Sequence, residues 1–165
     1  MLDTYLNQLD GCYVELDRAF NGLRDKHLWK RPAPPLLSVG ELAGHIAYWQ
    51  AVRMAGQGED VSACKVVSPL VDARFRDYDS SLENPPSGAV LALTAAQVRD
   101  ELMRVHRETV AHFRALDPNL SHVPRGHPAR FSYGAMLTYR VFHTAYHTGQ
   151  IYSVRHLLGE KTAEN

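Results

Sequence analysis

Leu2, Tyr5, Leu6, Leu9, Tyr13, Leu16, Phe20 and Leu23 recur at spacings of three and four residues. That period puts all of them on one helical stripe of about six turns, and such a stripe is stable only when other elements cover it. The rest of the chain offers helical partners. After "KRPAPPLL", which no helix can cross, Ser38 and Glu41 have the spacing of a capping box, and Leu42, Ile46 and Trp49 continue an apolar face. The second helix is expected to run to about Gly56. Thr94 and Gln97 repeat the start signal ahead of Val98, Leu102, Val105, Thr109, Phe113 and Leu116, until "DPN" stops the pattern. A fourth helix is predicted from near Ser132 to Gly159, where glycine suits a left-handed C-terminal cap. Strand signals are nearly absent and no internal repeat occurs, so the fold class is an all-α four-helix bundle.

The stretch from about Gln57 to Leu93 is rich in Pro, Ser, Asp and Gly, and loops of that length are uncommon inside compact domains. A crossover explains it. A connection of that length can traverse the ~30 Å of a bundle, which leaves helices two and three parallel in an up-down-down-up order. Irregular turns around "ARFRDY" are expected to pack across one end. A chain of 165 residues is one domain, 1–165, and buries a core without disulfides or a structural metal.

Eighteen Lys plus Arg balance eighteen Asp plus Glu. A groove for phosphate backbones carries a basic excess, so no nucleic-acid partner is expected, and "RVHR" from Arg104 to Arg107 reads as a solvated helix face. The start "MLDTYLNQLD" is polar and acidic rather than a secretory signal, and no run approaches the ~18 apolar residues of a membrane span. A soluble cytoplasmic protein without membrane contact is the expectation. Cys12 and Cys64 are far apart and outside any paired-cysteine motif, so they read as ordinary thiols.

Chemistry concentrates near the C-terminus, in "RVFHTAYHTGQIYSVRHLLG". On a helix His143 and His147 share a face with Cβ atoms ~6 Å apart, and both rings can reach one ion at ~2.0–2.1 Å. Nine His in 165 residues give about half of one such pair by random placement, so the pair alone fits core histidines as well as ligands. His45, in "ELAGHIAYW", sits beside the apolar positions of the second helix and is the candidate third ligand. Each buried imidazole needs partners for both nitrogens, and one metal satisfies three at once. His106 and His112 fall within the third helix, His27, His122 and His127 in loops, and His156 in the last turn of the fourth helix, where it complements the helix dipole. These six stay outside the candidate site.

Two metal classes are excluded by single positions. Thr144 follows His143 where zinc proteases carry Glu, and Arg140 and Thr144 stand three residues before the two histidines where di-iron bundles carry Glu. His45 in "GELAGHIAYW" together with "HTAYHTGQ" from His143 to Gln150 resembles the DinB/YfiT superfamily of damage-inducible, stress-response four-helix proteins, unrelated to the polymerase of similar name. The resemblance covers essentially the whole chain. It implies an up-down-down-up bundle in which His45, His143 and His147 bind one divalent metal, zinc or nickel, and it implies a homodimer.

Relatives of that kind include thiol S-transferases using bacillithiol or mycothiol, a mycothiol-dependent maleylpyruvate isomerase and proteins labelled hydrolases. The resemblance therefore implies a metal-dependent enzyme acting on a small-molecule substrate, with a metal-activated thiol or water as nucleophile. The alternative is a non-catalytic module that holds metal or a small molecule. Among neighbours of the site, Arg140 could clamp a carboxylate or sit in an internal ion pair, and Gln150 could hydrogen-bond a ligand or tie down backbone. Trp49 and Tyr146 read either as substrate contacts or as core and dimer packing. Glu41 is accounted for by its capping role, and no carboxylate is assigned as general base.

Overall fold

The computed structural model describes residues 1–56, 60–77, 85–124 and 131–162, and among them helices carry the fold without a β-strand. Four are long: α1 (Leu2–Ala19), α3 (Val39–Met54), α5 (Ala95–Leu116) and α6 (Tyr133–Leu157). Two single-turn helices, α2 (Asp25–Leu28) and α4 (Gly88–Leu91), and two tight 3₁₀ turns (Val61–Ala63, Ala73–Phe75) fill the connections. The expected crossover holds α4 and both turns, although 57–59 and 78–84 lie outside the described residues, as does His127.

The helix starts follow the capping chemistry read from the sequence. Ser38 Oγ accepts from the Glu41 amide while Glu41 accepts from the Ser38 amide at 2.8 Å, and Thr94 and Gln97 make the same reciprocal pair. At the other end of the chain, Gly159 has φ 73° and its amide donates to His156 O, while the Glu160 amide donates to Arg155 O. Those two bonds form a Schellman stop, which needs a residue tolerant of positive φ.

The first helix ends earlier than its apolar stripe. α1 stops at Ala19 because Gly22 takes φ 72° and turns the chain, yet Phe20 and Leu23 stay buried in the same core. Packing outlasts the helix there. α3 likewise ends at Met54, two residues short of Gly56.

Side-chain bonds fix the topology. Cys12 Sγ reaches Val141 O, Tyr152 donates to Glu15 at 2.6 Å and Arg155 to Ala19 O at 2.6 Å, so α1 and α6 run parallel. Arg99 pairs with Asp17, His106 with Asp10 and Arg114 with Asp3, so α5 runs antiparallel to α1. The order is up-down-down-up. Leu6, Leu9, Leu16, Leu102, Val105 and Ile151 are fully buried between these helices. Each such Leu contributes about 1.5–3 kcal/mol from apolar burial.

α3 is buried around almost its whole circumference, because the crossover covers the side turned away from the bundle. Tyr48 and Val52 pack there against Phe75 and Val90. The described part of the "ARFRDY" stretch, residues 73–77, therefore lies along the flank of α3 rather than across a bundle end, and Tyr78 falls outside the described residues. Gly44 makes this possible: a Cβ there would stand 2.6 Å from the Phe75 ring. Among the described residues, no helix is long and apolar enough to cross a membrane.

Candidate metal centre

α3 and α6 bring His45, His143 and His147 together in the bundle interior, all buried. His143 Nε2 lies 3.2 Å from His45 Nε2 and 3.1 Å from His147 Nε2. Two nitrogens bound at 2.0–2.1 Å on one tetrahedral ion would stand roughly 3.3 Å apart, so the rings are already at coordinating separation.

The outer nitrogens are committed elsewhere. His45 Nδ1 donates to Phe75 O at 2.8 Å and His147 Nδ1 donates to Gln150 Oε1 at 2.7 Å. With those protons placed, Nε2 of both rings presents a lone pair towards His143 Nε2. One cation could take all three lone pairs. A carbonyl or amide oxygen behind each ring is also the usual orienting partner of a metal-bound imidazole.

Electrostatics keep the cluster neutral. Burial holds His45 down to about 4, with His147 lowering it further. Burial, followed by the Arg140 cation, pushes His143 far below its ordinary range, and burial likewise lowers His147. Neutral imidazole is the form that donates a lone pair to a metal.

The centre opens on a cleft of about 910 Å³. All four neighbours singled out in the sequence line it or touch a lining residue. Trp49 and Tyr146 are walls, and Arg140 lines the same space. Trp49 Nε1 donates to Arg76 O at 2.8 Å, while Arg53 stands over its ring at 5.0 Å. Gln150 serves His147 and donates through Nε2 to the Tyr146 hydroxyl at 3.3 Å. Arg140 has no ion pair, so of its two sequence readings the internal salt bridge is absent among the described residues.

Sequence reasoning missed the contribution of the crossover. Phe75 supplies the carbonyl that orients His45, and among the described residues Asp77 is the lining carboxylate, at the rim, 3.7 Å from Arg76. No motif marks a backbone carbonyl. Phe131, Tyr139 and Phe142 complete the aromatic wall, and the i, i+3, i+7 spacing of Tyr139, Phe142 and Tyr146 was legible as one face of α6.

The other histidines lie apart. His27, expected in a loop, is in α2, buried, with Nδ1 2.9 Å from Glu160. His156 meets Thr162 at the end of α6. His106 is buried with both nitrogens bonded inside the bundle.

None of the curated proteins or solved structures compared with this chain gives a significant match. The DinB superfamily model matches residues 8–151, nearly the whole bundle and all three histidines, and the chain belongs to the DinB superfamily.

Proposed function

We propose that this protein is a metal-dependent enzyme of the thiol S-transferase or hydrolase kind, its ion held by His45, His143 and His147. The observation that carries the reading is the convergence of three Nε2 atoms within 3.1–3.2 Å steps, with Nδ1 of His45 and His147 anchored on Phe75 O and Gln150. Imidazole donors suit zinc and nickel. A divalent ion with three neutral ligands and open positions supplies Lewis acidity that makes a coordinated thiol or water more acidic.

The chain itself does the rest. Phe75 O and Gln150 hold the rings in one tautomer, and the aromatic wall excludes water from one side of the cleft. A low-molecular-weight thiol such as bacillithiol or mycothiol is the co-substrate in the transferase form of this reading. Elemental analysis of untagged protein, purified without chelator or a nickel column, is expected to give about one divalent ion per chain. Stoichiometric metal retained by the His143→Ala protein would sink the assignment.

The competing reading is a binding module without turnover. It is favoured by the cleft's acid inventory: among the described residues the lining carboxylate is Asp77, whose side chain is 77% exposed and so poorly placed for buried proton transfer. Turnover of a generic electrophile with a thiol, lost in His143→Ala, decides for the enzyme. Full metal loading with no turnover across thiols and esters decides for the module.

A further inference from the structure

Arg140 is 4% exposed and lines the cleft one turn before His143, yet its Nε and Nη1 are buried without a hydrogen-bond partner. Arginines at that depth are ordinarily matched, because an uncompensated cation in a low-dielectric interior is strongly unfavourable. The same chain shows the ordinary solution at Arg155, 1% exposed, which donates from Nε to Glu160 at 2.8 Å and from Nη1 to Ala19 O at 2.6 Å. Around Arg140 stand the Tyr139 ring at 5.1 Å, the Arg53 cation and the Tyr13 phenol, and no carboxylate pairs with it among the described residues. Burial holds it down to about 10, which leaves it charged at neutral pH.

The surroundings specify what would complement that charge. Trp49, Phe131, Phe142 and Tyr146 give the cleft aromatic walls; Arg53 lies over the Trp49 ring and Arg76 beside Asp77, while Arg140 lines the same space with no carboxylate paired to it among the described residues. A carboxylate offers a guanidinium two acceptors in a fork, a charge-assisted pairing about twice as strong as a neutral hydrogen bond.

We propose that the cleft takes an aromatic or similarly apolar carboxylate, whose carboxylate docks on Arg140 while its body lies against Trp49 and Tyr146. The proposal rests on reading this cleft as the ligand space of the three-histidine centre. It assigns the substrate's charge and the residue that selects it.

Phenylacetate and its uncharged isostere phenylacetamide are the probes, titrated calorimetrically into chelator-stripped and zinc-loaded protein. Stripped wild type is expected to bind phenylacetate ~10- to 100-fold more tightly than phenylacetamide, the factor expected of one charge-assisted bond. In Arg140→Met that preference falls to within about twofold, and Arg140→Lys keeps part of it as a charge without the fork. Arg140→Met is also expected to melt no lower than wild type, because the cation it removes is unmatched. Equal binding of the two probes by stripped wild type, or no measurable phenylacetate binding, overturns the proposal. So does a preference that survives in Arg140→Met and disappears only on stripping wild type, which means the carboxylate goes to the metal. Metal content of Arg140→Met is measured alongside. Since the stripped-protein comparison needs no ion, failure of this docking site and failure of the metal centre give different results.

Discussion

His106 and the three-histidine cluster are both buried in this bundle, and they end their hydrogen bonds differently. His106 on α5 is closed: its Nδ1 accepts from Gln50 Nε2 at 2.8 Å, its Nε2 meets Asp10 at 2.8 Å, and its ring stacks on Tyr13 at 3.7 Å. His45, His143 and His147 are open: partners behind the rings hold Nδ1 of His45 and His147, and all three Nε2 atoms face one another. Exposure is nearly equal, at 7% for His106 and 4–7% for the three. Depth alone therefore does not separate a core histidine from a ligand. What differs is the destination of the second nitrogen, which is a protein amide and a carboxylate for His106 and two other imidazole nitrogens in the three-histidine cluster.

The largest effect should come from cutting into the open group. His143→Ala is expected to weaken zinc binding by more than the ~10- to 100-fold typical of an outer partner, with helical circular dichroism near wild type. His106→Ala should leave metal stoichiometry unchanged. If both variants lose metal equally, the distinction between open and closed histidines is wrong.

Acid should come next. His45 titrates near 6.5 in the unfolded chain and about 4 in the folded one, so below pH 6.5 the unfolded state takes up the proton first and stability falls as pH falls. Over that window His45 alone removes about 3 kcal/mol from the metal-free protein, with His143 and His147 adding in the same direction. Urea unfolding of metal-free protein between pH 7 and 4 measures it. A flat profile would contradict the burial of the rings.

Smaller effects probe the anchors. Gln150→Ala removes the acceptor behind His147, and Gly44→Ala forces the Phe75 ring, and with it the carbonyl behind His45, away from α3. Each should cost ~10- to 100-fold in zinc affinity while the helices persist. In the closed group, Asp10→Asn replaces a half-exposed charge with a neutral acceptor and should cost only about 0.5–1 kcal/mol, read by thermal melting, with metal affinity unchanged.

Local codes made much of this readable in advance. The capping pairs Ser38–Glu41 and Thr94–Gln97 and the glycine stop at Gly159 act within a few residues, so sequence neighbours suffice to specify them. The His143–His147 spacing is local too, and His45 was picked out because it sits beside the apolar positions Leu42, Ile46 and Trp49. The end of α1 was overestimated because Phe20 and Leu23 keep their buried positions after the helix has stopped, and an apolar period reports burial before it reports backbone. His27 was misplaced for a related reason: its partner Glu160 lies at the far end of the chain.

By itself, then, the sequence determined the helices, their caps, the long crossover and the three histidines, because period, cap chemistry and ligand type are carried by residues close together. Only the tertiary structure decided which nitrogen of each ring faces the other two rings, that Phe75 O and Asp77 reach the cleft from the crossover, and that Arg140 stays unmatched where Arg155 finds Glu160. Those outcomes depend on what arrives from another helix within about 3 Å, and no spacing along one chain encodes that arrival.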